Sequence, residues 1–239
     1  MNRGLATSDA VARGAVPPAG EPTSESGSLT ADERHGRLVL AERVVEKEWA
    51  QLGRVDNEGG RAACQDDLPT FHQMRLSQFL TWPADLLRSY TLDLEQAETV
   101  GRNLLTEKFA RMMESTEPDR YAREIGPWLP VLDPGRVREQ ERAVATQVAW
   151  ADDFRRRYPR LGLAMRALRT AEDTLVATSF ETYLRGELGT YSHRTLEQYV
   201  RLVGDTSAAG GNLTEQTVRW TVLLAGYGDL AEAEGAQAG

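Results

Sequence analysis

From Leu38 onward the large apolar side chains return every three or four residues and do not alternate with polar ones, which fits the 3.6-residue turn of a helix rather than the two-residue pleat of a strand. That spacing admits one fold class. It predicts an all-α, single-domain helical bundle of about seven to eight helices over residues 29–239. Residues 1–28 are rich in Ala, Gly, Pro, Ser and Thr, lack the apolar surface to offset the entropy of ordering, and are expected to form a disordered leader.

Helix boundaries follow from local chemistry. Thr30 and Glu33 have the spacing of a capping box, and the first helix continues through Leu38, Ala41, Val45, Trp49 and Leu52. A second helix is expected from an Asp67 cap, with Pro69 in its first turn, to Leu80. Residues 84–115 read as helical throughout, relaxed or bent at Gly101, and prolines at 118, 127, 130 and 134 then break the pattern. A long helix is expected over 136–158, stopped by Pro159, with shorter ones at about 161–169, 179–190, 194–204 and 213–226. Thr178 with Glu181, and Asn212 with Glu215, have capping-box or related spacing.

Composition narrows the function classes. With 36 acidic and 28 basic residues the net charge is −8, and the basic runs are short, so nucleic acid is not an expected partner. No apolar run approaches the roughly 20 residues of a membrane span, so a membrane is not expected either. Cys64 is the only cysteine, which rules out an internal disulfide, and no secretory pattern opens the chain; a cytoplasmic protein is expected. In its polar loop Cys64 reads as packing rather than as a nucleophile. His35, His72 and His193 are isolated from one another and from helically spaced Glu, so no metal centre or other cofactor is expected. Magnesium on Asp66, Asp67, Glu172 or Asp173 stays open, because that ion needs only one or two carboxylates. Glu172 and Asp173 read equally as closing a site or as preceding a turn.

The chemistry-bearing positions are polar residues placed inside apolar stripes. Glu187 lies on the face formed by Phe180, Tyr183, Leu184, Leu188 and Tyr191; Arg75 and Gln78 lie on that of Phe71, Met74, Phe79 and Trp82. Lys108 lies among Leu104, Leu105, Phe109 and Met112, with Glu107 and Arg111 at the borders. Burying a carboxylate requires a cation, hydrogen bonds or protonation. Arg185 projects sideways toward Glu181 and is not assumed to be that cation. If the three helices face one another, they enclose an apolar cavity with converging polar groups. The alternative is a buried structural ion network, or stems that snorkel to water. The loop NEGGRAACQDD at 57–67 adds Asn57, Glu58, Arg61, Gln65, Asp66 and Asp67, more chemistry than a turn needs. One aspartate is expected to cap the next helix.

Four segments, NEGGRAACQDD, TFHQMRLSQFLTW, GRNLLTEKFARMMEST and TSFETYLRGELGTYS, spread over about 57–192 in this order. With them the chain resembles an uncharacterised bacterial family of proteins of unknown function, the one numbered four-one-two-five. The resemblance implies a cytosolic domain of about 200 residues and carries no activity. Its segments coincide with the polar-in-apolar positions.

The resulting expectation is a metal-independent acid/base enzyme, a dehydratase, cyclase or similar lyase of small-molecule biosynthesis. Glu187 would transfer the proton, its pKa raised by apolar neighbours, with Tyr183 or Lys108 as partner. Asn57, Glu58, Arg61, Gln65, Asp66, Asp67, Arg75, Gln78, Glu107, Arg111 and Arg185 would bind the substrate. The carboxylates among them favour a cationic amino or guanidino metabolite. Two alternatives remain: a helical binding or adaptor module docking through an exposed helix such as 136–158, and a magnesium enzyme on a phosphorylated substrate. Oligomeric state is not legible.

Overall fold

A computed structural model describes residues 30–56, 60 and 65–237. The expected leader, the loop positions Asn57, Glu58 and Arg61, and Cys64 lie outside the described residues. The described chain is all-α: α1 (Ala31–Leu52), α2 (Leu68–Phe79), α3 (Ala84–Thr99), α4 (Leu104–Thr116), α5 (Pro118–Arg120), α6 (Pro134–Arg157), α7 (Pro159–Ala164), α8 (Phe180–Leu188), α9 (His193–Ala208), α10 (Leu213–Leu224) and α11 (Leu230–Ala236). A π-helical turn at Tyr121–Ile125 and a 3-10 turn at Gly126–Trp128 follow α5, and a further 3-10 turn spans Thr170–Glu172.

The excess over seven or eight helices has local causes. Gly101 takes φ +72°, a left-handed conformation that ends α3 instead of bending it. Asn103 then starts α4 by accepting a hydrogen bond from the Thr106 amide at 3.0 Å. The expected helix over 84–115 is thus two helices. Very short α5 and the C-terminal α11, which Asp229 caps, account for the rest, while the helix expected at about 161–169 is α7, begun earlier at Pro159 and only six residues long.

Other starts follow the expected capping chemistry. Thr30 and Glu33 form a reciprocal box, and Asp67 caps α2 through the Thr70 amide at 3.1 Å. Asn212 caps α10 through Glu215 at 3.0 Å. At α8 the cap is Ser179, one residue after the expected Thr178, because Thr178 turns its carbonyl and hydroxyl oxygens to Arg166. Glu181 instead accepts from the Thr170 amide.

One apolar core runs through the bundle from Ala41 to Leu213, with Phe79, Trp82, Leu86, Tyr90, Val148 and Leu188 at its centre. α1 packs on α2, α3 and α4, while α8 packs on α4 and α6. A smaller cluster around Phe154 and Leu230 joins α6, α7, α10 and α11. Met74, expected inside the α2 stripe, is instead exposed, and Leu76 takes the buried position. The helix is rotated so that Arg75, not Met74, faces inward.

Candidate functional site: a buried ion network beside a polar cleft

Four charged side chains meet in the core. Glu48 from α1, Arg75 from α2, Lys108 from α4 and Glu187 from α8 are each no more than 5% exposed. Arg75 donates from Nε and Nη2 to the two Glu48 oxygens at 2.6 Å each, and from Nη1 and Nη2 to Glu187 at 3.1 and 3.2 Å. A fifth bond, from Nη1 to the Gln78 amide oxygen at 2.7 Å, matches the five N–H groups of the guanidinium. Lys108 Nζ reaches Glu187 at 2.5 Å. The Gln78 amide and the Tyr191 hydroxyl donate to the same carboxylate at 3.0 and 2.9 Å, while Tyr90 donates to Glu48 at 2.8 Å. Two cations and two anions cancel, so the desolvation cost is offset by ion pairs and charge-assisted hydrogen bonds.

Aromatic rings enclose the network. Phe79, Trp82, Tyr90, Tyr191 and Tyr199 pack with centroid separations of 4.9 to 6.1 Å, and the Arg75 guanidinium lies over Phe79. Lys108 Nζ stands 3.4 Å from the Tyr183 ring centroid, with Arg166 also over that ring at 4.3 Å.

The electrostatics overturn one expectation. Burial acts to raise the pKa of Glu187, but the cations of Arg75 and Lys108 outweigh it and hold the carboxyl far below the usual carboxylate range. It is an ionised group at neutral pH and not a raised-pKa acid. Burial likewise acts to lower Arg75, yet Glu187 and Glu48 hold it well above its usual value. Burial, reinforced by Glu48 and Glu187 at Tyr90 and by Glu187 at Tyr191, pushes both phenols well up, so they stay protonated donors.

The structure separates the other candidates from this centre. Gln65 is buried and donates to the Leu52 and Val55 carbonyls at 2.9 and 2.8 Å, which ties it to the end of α1. Asp67 is a helix cap, Asp66 is exposed on the same loop, and Glu107 forms a two-bond pair with Arg102 at 2.7 Å. Arg185 leaves the network, pairing with Glu141 at 2.8 Å and Glu181 at 3.2 Å. Hence the described carboxylates taken to favour a cationic ligand, Asp66, Asp67 and Glu107, do not join this centre. Glu172 and Asp173 serve the loop before α8: Glu172 accepts from the Leu168 and Arg169 amides, and Asp173 from the Ser179 amide and the Ser115 and Thr182 hydroxyls. Among the described residues no group of three or more His, Cys, Asp or Glu is placed to hold a metal ion, and no helix is long and apolar enough to cross a membrane.

Sequence reasoning missed Glu48, Tyr90 and Tyr191. The signal for Glu48 was present, since it falls at helical spacing among Ala41, Val44, Val45 and Leu52, the buried face of α1.

Open space lies next to the network. A cleft of about 530 Å³ is bounded by α4, α6, α8 and residues 121–132. Arg111, Glu114, Ser115, Tyr121, Gln140, Thr182 and Arg185 supply polar groups, and Leu129, Leu132 and Val137 supply apolar ones. Gly186 forms part of its floor. A Cβ there would stand 2.9 Å from the Lys108 carbonyl oxygen, so the missing side chain is what lets α8 approach α4 beneath the cleft.

No curated protein and no solved structure matches the chain. A family model does, over residues 38–235, from the first helix to the last. With its buried network and cleft inside that span, the chain belongs to the family described as Protein of unknown function (DUF4125).

Proposed function

We propose that this protein binds a small molecule in the cleft between α4, α6, α8 and residues 121–132, with the buried ion network acting as the rigid wall behind it. The observation that carries the reading is the convergence of polar side chains from four separate segments on one concavity of about 530 Å³. Small-molecule sites span about 300–1,000 Å³ and combine an apolar lining with a few convergent polar groups. The network supports this by clamping α4 to α8 through Lys108 and Glu187, so the cleft wall keeps its shape. The lone cysteine suits a reducing compartment such as the cytoplasm.

An acid/base lyase built on Glu187 is the less favoured reading. Its carboxylate already accepts five hydrogen bonds and stays ionised, which leaves it neither a proton to give nor room for a substrate. Binding needs no such group.

The test is a thermal-shift screen of amino acids, guanidino compounds, amino sugars and nucleotides on the full chain, repeated on Val137→Trp, which fills the cleft. Hits should stabilise the parent and lose their effect in the variant. Hits that stabilise both equally would place the ligand elsewhere and end this reading. Turnover of any hit that disappears in Glu187→Gln with the fold retained would restore the lyase.

A further inference from the structure

Most charges around the cleft are already paired. Arg185 is satisfied by Glu141, Glu181 and the Thr170 hydroxyl. Two are not. Among the described residues Arg111 has no carboxylate partner: its Nη2 donates to the Pro130 carbonyl at 2.8 Å, its Nη1 makes no hydrogen bond, and its Nε is buried without an acceptor. Glu114, one helical turn on, lines the same cleft and has no cationic partner among the described residues. A third unmet group sits on the opposite wall. Gln140 is only 3% exposed, and although its amide nitrogen donates to the Arg185 carbonyl at 3.1 Å, its Oε1 has no donor. A buried acceptor left empty costs free energy, and Gln140 is one of the residues that line the cleft.

We infer that the cleft takes a zwitterion of amino-acid type, its carboxylate on Arg111, its ammonium shared between Gln140 Oε1 and Glu114, and its apolar side chain against Leu129, Leu132 and Val137. This rests on the small-molecule reading of the cleft and adds the ligand's class. A guanidinium and a carboxylate on one wall, within electrostatic reach of each other but joined by no ion pair, select for a molecule that carries both charges. A phosphate dianion would face the carboxylate of Glu114, and a simple amine would leave Arg111 unmet. Arg136 stands next to Arg111 with its Nη2 on the Leu188 and Tyr191 carbonyls, which adds positive potential at that end. Burial pushes both guanidiniums below their usual value, and Arg111 pushes Arg136 down further, a strain that an arriving carboxylate would relieve.

Calorimetry on the full chain tests this with L-phenylalanine, L-leucine and the dipeptide alanyl-phenylalanine against 3-phenylpropionate and 2-phenylethylamine. At least one zwitterion should bind about tenfold or more tighter than either single-charge analogue, a difference of about 1.4 kcal/mol. Arg111→Lys, which keeps the charge and loses the fork, should weaken the zwitterion and the acid alike. Gln140→Leu and Glu114→Gln should weaken the zwitterion and the amine but not the acid. Equal affinity for phenylpropionate and phenylalanine would overturn the inference, and so would an absence of binding by all three zwitterions. The cleft itself is judged separately by amide chemical-shift mapping of any screening hit. Shifts on α4, α6 and α8 from a ligand that is not a zwitterion would sink the inference while leaving the cleft as the site.

Discussion

Arg75 holds Glu48 in a parallel pair of hydrogen bonds, both 2.6 Å long, while the outer edge of the same guanidinium reaches the carboxylate of Glu187. One planar cation therefore keeps two buried anions from facing each other without compensation. An ammonium cannot span both, since it lacks the fork. Arg75→Lys should lose about 3–5 kcal/mol in urea unfolding, the range for breaking a buried ion pair. A loss below about 1 kcal/mol would show that the network tolerates a point charge.

Lys108 and Glu187 tie α4 to α8 across 79 positions of sequence. Lys108→Met and Glu187→Gln should each destabilise, and the double variant should cost less than their sum because each single change strands a partner. The coupling from the double-mutant cycle should fall at about 1–3 kcal/mol. Strict additivity would mean that the contact contributes nothing.

Acid should unfold the protein through Glu187 and Asp173. The folded pKa of Glu187 lies below its ordinary value of 4.5, and that of Asp173 below 3.8, the latter because hydrogen bonds from Ser115, Thr182 and Ser179 outweigh burial. A carboxylate with a depressed folded pKa stabilises fully above its unfolded pKa, and that contribution declines as pH falls toward the folded one. Stability should therefore be flat from about pH 7 to 5 and drop below it. Glu187→Gln should start lower and show a shallower drop. An identical acid slope in the two proteins would remove Glu187 as the acid-sensitive group.

Gly186 permits the close contact of α4 with α8. An alanine Cβ would meet the Lys108 carbonyl oxygen and Met112 Cγ, both at 2.9 Å, and a backbone oxygen cannot swing aside. Gly186→Ala should cost about 1–3 kcal/mol by overpacking, although alanine is the better helix former, and should weaken any cleft ligand. Thermal melting measures the first effect and calorimetry the second. A stabilised variant would show that the helices have room to part.

Polar interruptions of apolar stripes were readable before any coordinates. Arg75, Lys108 and Glu187 interrupt stripes on three different helices, and all three do converge. Gln78 joined them for the same reason. Tyr183 also arrived, with its ring beneath Lys108. Glu107 sits at a stripe border, where a small rotation of the helix decides between core and surface, and Arg185 projects sideways from its stripe; both turned to surface partners.

The all-α class, the caps at Thr30, Asp67 and Asn212, and the presence of buried charge were determined by the sequence alone, because capping, helix periodicity and apolar patterning act within a few residues. Only the tertiary structure decided the sign of the Glu187 shift. That sign is a contest between burial and the placement of two cations, 112 and 79 positions away along the chain. It also decided where the cleft opens, since a concavity belongs to no helix but to the way α4, α6 and α8 lean on one another. Local chemistry sets each element; the distances between elements set what they can bind.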